Sequence, residues 1–376
     1  MKSCKFDLTY LSIDSIQEGV GSSQITPLLI GLARTGKKIC LLSFEKIKPR
    51  DDLIKQFYEA KIAWTPHEFG NSGALAGLAR LNELRKSVPP SGVLHGRSDI
   101  PTAAAVWSNV DAPVLWDVRS LWSDQRKLIG TPGWNNLTAR GARALENVSA
   151  SNAKAMTTLT AAVIPVLEKR HTKLPLIRQV IPTCVQTSKF IPTSMPPGQL
   201  VCLLSGTFNN YYDIERTREI VSAIKKSISL KVIWARPSEA PAFGLGVGED
   251  MIVTATHSEM PSLVASAHFG MAICKENTQE SLAAAVPTKI GEFLASGRPI
   301  IVSKGIGDMD ALINETNTGI VIAHDDSLSK IGEQISGLVS DSGIEERCRL
   351  LAMKYFDMSQ AITSYSKIYS EMIGGN

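Results

Sequence analysis

The chain has 376 residues, of which 44% are hydrophobic and 20% charged, and its formal net charge is +4. This length exceeds what one ordinary core accommodates, so we expect two domains, and the composition is that of a globular chain rather than a disordered one. The sequence contains neither a long run of Lys and Arg nor a ladder of aromatic and basic residues. A nucleic-acid partner is therefore not expected.

The six cysteines indicate a reducing environment. They form no Cys-x-x-Cys pair and have no His at metal-ligand spacing, so we expect reduced thiols, a cytoplasmic location and no bound metal. The N-terminus is too short and too mixed for a signal peptide, and no apolar run approaches the ~18 residues that a membrane span requires. The small positive charge would favour a weak approach to anionic lipids, which makes peripheral contact with the inner face of the membrane a second expectation.

The first predicted elements form a β-loop-α-β unit. A strand over Phe6–Ile13 precedes a loop over 14–23, and a helix then runs to Arg34 before a second strand over Lys38–Phe44. The loop places small residues with free amides at the helix N-terminus, where a diphosphate or an acceptor group can approach closely. A plain flexible turn is the alternative. The small residues of the loop are Gly19, Gly21, Ser22 and Ser23.

Two later strands lead into polar, titratable side chains. His95 follows a strand predicted over Gly92–Leu94, and Asp117 and Arg119 lie at the end of a strand predicted over Pro113–Val118. Ligands of an open α/β sheet bind at the carboxyl ends of its strands, so we expect these three residues to lie where a ligand binds. For His95 and for Asp117 a structural role, such as capping a turn, is the alternative.

A Pro- and Gly-rich stretch at 192–198 is the clearest break in composition. It predicts a hinge between an N-terminal domain over residues 1–192 and a C-terminal domain over residues 199–357. Residues 358–376 contain a last predicted helix with apolar residues at helical spacing.

The C-terminal domain restarts with a strand over Leu200–Leu204 that leads into Gly206 and Thr207. The next strand, Leu230–Trp234, leads into Arg236. Taken alone, the glycine turn is a strand-to-helix connection, and an arginine at a strand end is commonly a solvated residue.

A short helix is predicted between Pro287, which suits the first helical position, and Gly297, which suits the left-handed residue that ends a helix. Thr288, Lys289 and Glu292 lie in its first turns. Lys289 and Glu292 share one face near the N-terminus, where free N–H groups attract a phosphate, and together they offer a cation for a phosphate and a carboxylate for sugar hydroxyls. An ordinary surface pair is the alternative.

The stretch 287–300, PTKIGEFLASGRPI, resembles the P-x-K-x-x-E-Y/F-L-A-x-G-x-P-V/I signature of retaining, family 4-like glycosyltransferases of the GT-B fold. The resemblance extends to an H-x-R-S element at 95–98, a D-x-R-x-x-W element at 117–122 and an S-Q-I-x-P-L-L run at 23–29. It implies two doubly wound, Rossmann-like α/β domains facing each other across a cleft. The C-terminal domain would hold a nucleotide-sugar donor and the N-terminal domain the acceptor. Residues 358–376 would cross back to the N-terminal domain; a helix packed on its own domain is the alternative.

The resemblance also implies roles for individual residues. The carboxylate of Glu292 would hold the ribose of the donor, and Lys289 would lie near its phosphates. His95 would contact the transferred sugar, and with Asp117 and Arg119 it would form the catalytic group. Donor binding would also involve Thr288 and the turn formed by Gly206 and Thr207.

The sequence departs from the family pattern at position 284, where many members carry a glutamate that reaches the donor sugar and this chain has Ala284. Glu276 and Glu280 are candidates to replace it. Arg236 is a candidate to replace the cations that many members place just after the glycine turn.

The predicted activity is the metal-independent transfer of a sugar from a nucleoside-diphosphate-sugar to a saccharide, lipid-linked or small-molecule acceptor, with retention of anomeric configuration and without a cofactor. The alternative is a catalytically weak or inactive nucleotide-binding partner protein of the same fold, which the missing glutamate favours. An NAD-linked oxidoreductase would need a G-x-G-x-x-G run after a strand, and 19–21 lacks the third glycine. The sugar, the base, the acceptor and the oligomeric state stay open.

Overall fold

The computed structural model describes residues 5–128, 134–207, 211–236, 251–276 and 279–374. The chain divides into two compact units, one formed by Met1–Pro182 with Met358–Asn376 and the other by Thr183–Asp357. The stretch 192–198, where the hinge was predicted, lies inside the second unit. Among the described helices, none combines the length and the apolar composition needed to cross a membrane.

The first unit is built on one parallel sheet. Its strands are β1 Phe6–Leu11, β2 Ile39–Glu45, β3 Ile62–Glu68, β4 Ser91–Arg97, β5 Val114–Val118, β6 Ala155–Thr158 and β7 Ile177–Val180. Its helices are α1 Thr26–Arg34, α2 Asp51–Glu59, α3 Ala74–Ser87, α4 Asp99–Val106, α5 Trp122–Leu128, α6 Trp134–Asn152, α7 Ile164–Arg170 and the terminal α15 Met358–Gly374. The strand order is β3-β2-β1-β4-β5-β6-β7.

The second unit repeats this plan. Its strands are β8 Leu200–Ser205, β9 Leu230–Arg236, β10 Met251–Thr254, β11 Phe269–Ala272, β12 Ile300–Ser303 and β13 Gly319–Ile322. Its helices are α8 Ile214–Ser227, α9 Met260–Ala265, α10 Gln279–Ala283, α11 Thr288–Ala295, α12 Met309–Thr316, α13 Ile331–Ser340 and α14 Ile344–Tyr355. The strand order is β10-β9-β8-β11-β12-β13.

Both orders reverse direction once, between β1 and β4 in the first sheet and between β8 and β11 in the second. At such a switch point the helices leave on opposite faces and open a crevice at the carboxyl ends of the strands. The inner strands are largely apolar and buried, as strands covered on both faces must be; β2, for example, has no exposed residue. The expected pair of doubly wound α/β domains is confirmed.

Several predicted elements differ in detail. The strand predicted to end at Leu94 continues through Arg97, and His95 pairs within it with Tyr10 and Leu115. His95 therefore lies inside the sheet rather than after a strand, which corrects the sequence prediction. The predicted loop over 14–23 is also shorter than expected, because a π-helical turn over Gly21–Ile25 leads directly into α1.

Candidate functional site

The helix predicted to bind the donor, α11, has well-defined ends. Pro287 lies one position outside the helix, with φ −57° and ψ 128°, so the helix begins at Thr288 rather than at the proline. At the other end Gly297 adopts φ +74°. Its N–H donates to the carbonyl of Leu294 at 3.0 Å, and the N–H of Arg298 donates to the carbonyl of Phe293 at 2.9 Å. This pair of bonds is the Schellman motif, which explains why the helix stops after eight residues.

Lys289 and Glu292 are buried, with exposed fractions of 9% and 7%. Burial lowers the pKa of Lys289 to about 8, although Cys274 and Glu292 oppose this shift. Burial raises the pKa of Glu292 to about 7 against the influence of Lys289. Keeping two ionisable groups away from water costs free energy, so this pair is not an ordinary solvated surface pair. Perturbed pKa values of this kind are typical of functional sites.

An aromatic segment covers Lys289. The Nζ atom of Lys289 lies 4.1 Å from the centroid of the Tyr212 ring, a geometry that attracts a cation to the ring face. Tyr212 is held there because the N–H of Asp213 donates to Ile273 at 2.9 Å and the N–H of Lys275 donates to Tyr211 at 3.0 Å. These bonds join the segments that follow β8 and β11, the strands on either side of the switch point.

Gly206 and Thr207 follow β8 directly. Gly206 adopts φ +83°, a left-handed conformation that favours glycine. Its N–H donates to the carbonyl of Ala235 at 2.8 Å, and its carbonyl accepts a hydrogen bond from Nε1 of Trp234 at 3.0 Å. Gly206 thus shapes the turn and uses its own N–H inside the protein. Arg236 ends β9, the neighbouring strand, and so lies at the same edge of the sheet.

Position 284, where the resembled motif has a glutamate, is in the interior, since Ala284 is 1% exposed. Of the two candidates to replace that glutamate, Glu280 lies in α10 and Glu276 in the segment before it, and both are exposed.

The first unit contains a second cluster of buried polar groups, centred on His95 and Asp117, which are 0% and 1% exposed. The Nε2 atom of His95 lies 3.3 Å from Oδ2 of Asp117, and its Nδ1 atom lies 2.7 Å from the hydroxyl oxygen of Tyr369 in α15. An ionised carboxylate can only accept hydrogen bonds, so the proton of the imidazole belongs on Nε2, and Nδ1 accepts from the Tyr369 hydroxyl. The rings of Tyr10 and Tyr365 cover His95, with centroids 4.3 and 5.2 Å from its own.

The two central groups of this cluster differ in charge, since His95 is neutral and Asp117 is ionised. Burial lowers the pKa of His95, which Asp117 only partly opposes, so the imidazole is neutral near pH 7. Burial alone would raise the pKa of Asp117, but Arg119, His95 and Arg97 together hold it below its usual range. The hydroxyl of Thr157 also donates to Oδ1 of Asp117 at 3.0 Å. Asp117 is therefore a buried carboxylate that stays ionised.

Two arginines connect this cluster to the loop after β1. Arg97 lies 3.9 Å from Asp117, and its Nε atom donates to Asp14 at 3.1 Å. Arg119 lies 3.7 Å from Asp117 and donates to the side-chain carbonyl of Gln24. They are 5% and 12% exposed. His95 and Asp117 are enclosed by other side chains, so the two guanidinium groups are the more exposed members of the cluster.

The small residues of the loop have structural partners. The hydroxyls of Ser22 and Ser23 both donate to the carbonyl of Gly19 at 3.0 Å, and Gly19 adopts φ +48°. A side chain at Gly21 would collide with the carbonyl of Ser15. Glycine at position 21 therefore lets the π-helical turn pack against the preceding loop.

The structure thus brings His95, Asp117 and Arg119 together in the first unit, and Lys289 and Glu292 together in the second. The sequence analysis missed Tyr365 and Tyr369, because it described residues 358–376 only as a helix with apolar residues at helical spacing. Two tyrosines one helical turn apart were the available signal, because a buried tyrosine hydroxyl requires a partner.

No protein-family model and no curated protein matches the chain. Solved structures do match along nearly its whole length. A glycosyltransferase from Rickettsia africae has 14% identity and a TM-score of 0.66, with 98% of this chain and 100% of that chain covered. Anabaena HepE in complex with UDP and glucose has 12% identity and a TM-score of 0.68, with 97% and 100% covered. WaaG, a glycosyltransferase of lipopolysaccharide biosynthesis, has 15% identity and a TM-score of 0.66, with 98% and 100% covered. The chain therefore has the fold of GT-B glycosyltransferases, with two Rossmann-like domains.

Proposed function

We propose that the protein is a glycosyltransferase that moves a sugar from a nucleoside-diphosphate-sugar to a saccharide, lipid-linked or small-molecule acceptor, with retention of anomeric configuration. The observation that carries this proposal is the buried pair of Lys289 and Glu292 at the N-terminal end of α11. The GT-B fold and the motif resemblance at 287–300 also support the proposed transferase activity. Because one similar structure is a complex of HepE with UDP and glucose, a uridine-diphosphate sugar is the first donor to test.

The donor would be held by three contributions from the second unit. The ammonium of Lys289 and the positive end of the α11 dipole would meet the negative charge that develops on the departing diphosphate. Ionised Glu292 has only acceptor atoms and so would accept hydrogen bonds from ribose hydroxyls. An anionic ligand would also raise the pKa of Lys289 from about 8 and so favour its charged form. This arrangement supplies cationic stabilisation without a metal ion, and metal independence belongs to the proposal.

The first unit would bind the acceptor. Arg97 and Arg119 are the polar groups of its cluster that are not fully enclosed, while His95 and Asp117 would fix their positions. For a lipid-linked acceptor, we propose a cytoplasmic protein that contacts the membrane only peripherally.

The second candidate function is a nucleotide-binding partner protein without transferase activity. The observation that favours it is Ala284, whose buried position carries no carboxylate for the donor sugar. A panel of nucleotide-sugars separates the two functions. Binding with release of nucleoside diphosphate supports a transferase, and binding without turnover supports the partner protein.

The test of the proposal compares wild-type protein with Lys289→Met and with Lys304→Met. Lys304 is an exposed lysine of the same unit and serves as the control. Each protein is titrated with UDP-glucose and other nucleotide-sugars, with binding followed by the rise in thermal stability. We expect the K289M variant to lose about tenfold or more in affinity, because a charge-assisted bond to the phosphate is lost. Equal losses in both variants, or none in either, would contradict the proposal. Chelation of divalent ions by EDTA should leave turnover unchanged.

A further inference from the structure

The carboxyl ends of β4 and β5 present two guanidinium groups that are mostly buried and poorly paired. We propose that Arg97 and Arg119 form a binding site for a phosphoryl group carried by a substrate. The inference deepens the proposed transferase function, because such a group occurs on the donor diphosphate and can also occur on an acceptor. Its test does not depend on sugar transfer.

The first argument is the balance of buried charge. Arg97 and Arg119 are both cationic, whereas His95 is neutral and Tyr10, whose pKa burial raises to about 12, is neutral as well. Asp117 is the buried carboxylate that faces both guanidinium groups. Within the described residues, the other carboxylate in reach is Asp14, which is 49% exposed. The buried part of the cluster therefore has an excess of positive charge.

The second argument is the hydrogen bonding of the guanidinium groups. In the described part of the chain, Arg97 makes its hydrogen bond through Nε to Asp14, and Arg119 makes its own through Nη2 to Gln24. The distances to Asp117, 3.9 and 3.7 Å, are too long for hydrogen bonds. The Nε atom of Arg119 is buried and has no hydrogen-bond partner. A buried donor without an acceptor costs free energy, so a ligand rich in oxygen atoms would be stabilised here.

The third argument identifies the chemical class of the ligand. A planar guanidinium group binds a carboxylate or a phosphate through parallel hydrogen bonds. A carboxylate can serve one such fork in full, whereas a phosphoryl group has a further oxygen for a second arginine. Asp117 lies behind both arginines and is fixed by Thr157 and His95, so the forks are held in place before a ligand arrives.

Asp14 then acts as a competitor for the ligand. The Asp14 side chain is half-exposed, and ion pairs made by such solvated carboxylates contribute little to stability. An incoming phosphoryl group would displace this carboxylate or be repelled by it. Removing the charge of Asp14 should therefore strengthen anion binding, while removing either arginine should weaken it.

The experiment uses full-length protein labelled with 15N in arginine, so that the Nε–H resonances report on each buried guanidinium group. Inorganic phosphate is the probe, titrated at constant ionic strength. We expect saturable shifts of the Arg97 and Arg119 resonances, about tenfold weaker binding in Arg119→Gln and severalfold tighter binding in Asp14→Asn. Arg50→Gln, at a 53% exposed arginine of the same unit, is the control and should leave binding unchanged.

Shifts that do not saturate, or equal affinity in wild type and R119Q, would overturn the proposal. If R119Q fails to fold, Arg119→Lys keeps the charge without the fork and should still lose affinity in the same titration. An unchanged affinity in R119K together with an unchanged affinity in D14N would also overturn it.

A second titration with UDP identifies the source of the phosphoryl group. If UDP shifts both resonances and R119Q weakens UDP binding, the anion is the donor diphosphate. If phosphate still titrates at saturating UDP, the anion belongs to the acceptor. Saturable phosphate binding in a protein that binds no nucleotide would contradict the proposed function and leave this site standing.

Discussion

Replacement of Tyr369 by phenylalanine tests whether α15 is held on the first unit by the buried histidine. The hydroxyl of Tyr369 lies 2.7 Å from Nδ1 of His95, which is fully buried. Phenylalanine would keep the ring but leave Nδ1 as a buried acceptor without a partner. Such a loss typically costs about 1 to 3 kcal/mol. For a domain of this size that corresponds to a fall in Tm of roughly 2 to 12 °C.

The assay is calorimetric unfolding of wild type and Tyr369→Phe, with Tyr58→Phe as the matched control. Tyr58 is 83% exposed, so its hydroxyl is solvated and its loss should change the unfolding free energy by less than about 0.5 kcal/mol. A Y369F protein as stable as Y58F would refute the reasoning, because it would show that the bond between α15 and His95 contributes nothing to the fold.

Three further predictions concern pH, the donor pair and the end of α11. The pKa of His95 is lowered from an ordinary value near 6.5, so as the pH falls the unfolded chain takes up a proton before the native one does. The first unit should therefore lose stability below about pH 6.5. His95→Gln should flatten this part of the pH profile of the unfolding free energy, measured with urea, and an unchanged slope would count against a neutral imidazole. The pKa of Glu292 is raised from an ordinary value of 4.5 to about 7, so as the pH rises the unfolded chain loses this proton before the native chain does. The second unit should therefore lose stability as the pH rises from about 4.5 toward 7. Glu292→Gln should therefore raise the unfolding free energy of the second unit at about pH 8 by about 1 to 3 kcal/mol, while nucleotide-sugar binding is lost; a variant that binds as well as wild type would oppose the assigned role. Gly297→Ala places a side chain at φ +74° and should lower the unfolding free energy by about 1 to 2 kcal/mol. The control Gly337→Ala, at an exposed helix position with open space around it, should raise it by about 0.5 to 1 kcal/mol. Equal effects of the two variants in a thermal melt would contradict the prediction.

The sequence was a good guide where one local rule determined the structure. Helix α1 ends at Arg34 and strand β8 begins at Leu200, as predicted, because a glycine lies within two residues of each of these ends. The end of α11 was also predictable, since few residues other than glycine tolerate the conformation of Gly297.

The polar cluster of the first unit was less predictable because its partners are distant in sequence. A histidine at the end of an apolar run indicates the end of a strand, unless a distant side chain bonds it inside the sheet, as the hydroxyl of Tyr369 does here. Here Tyr369 lies 274 positions from His95, and no local pattern reports such a pairing. The same holds for Tyr212, which reaches Lys289 only because the segments after β8 and β11 pair with each other.

The central claim is that the second unit binds a nucleotide-sugar at the N-terminal end of α11. A crystal structure of the protein with UDP-glucose tests it most directly. We predict the diphosphate within hydrogen-bond distance of Lys289 Nζ and of the first N–H groups of α11, with the ribose hydroxyls on the carboxylate of Glu292. A nucleotide bound away from α11, with Lys289 and Glu292 unchanged and still covered, would contradict the account.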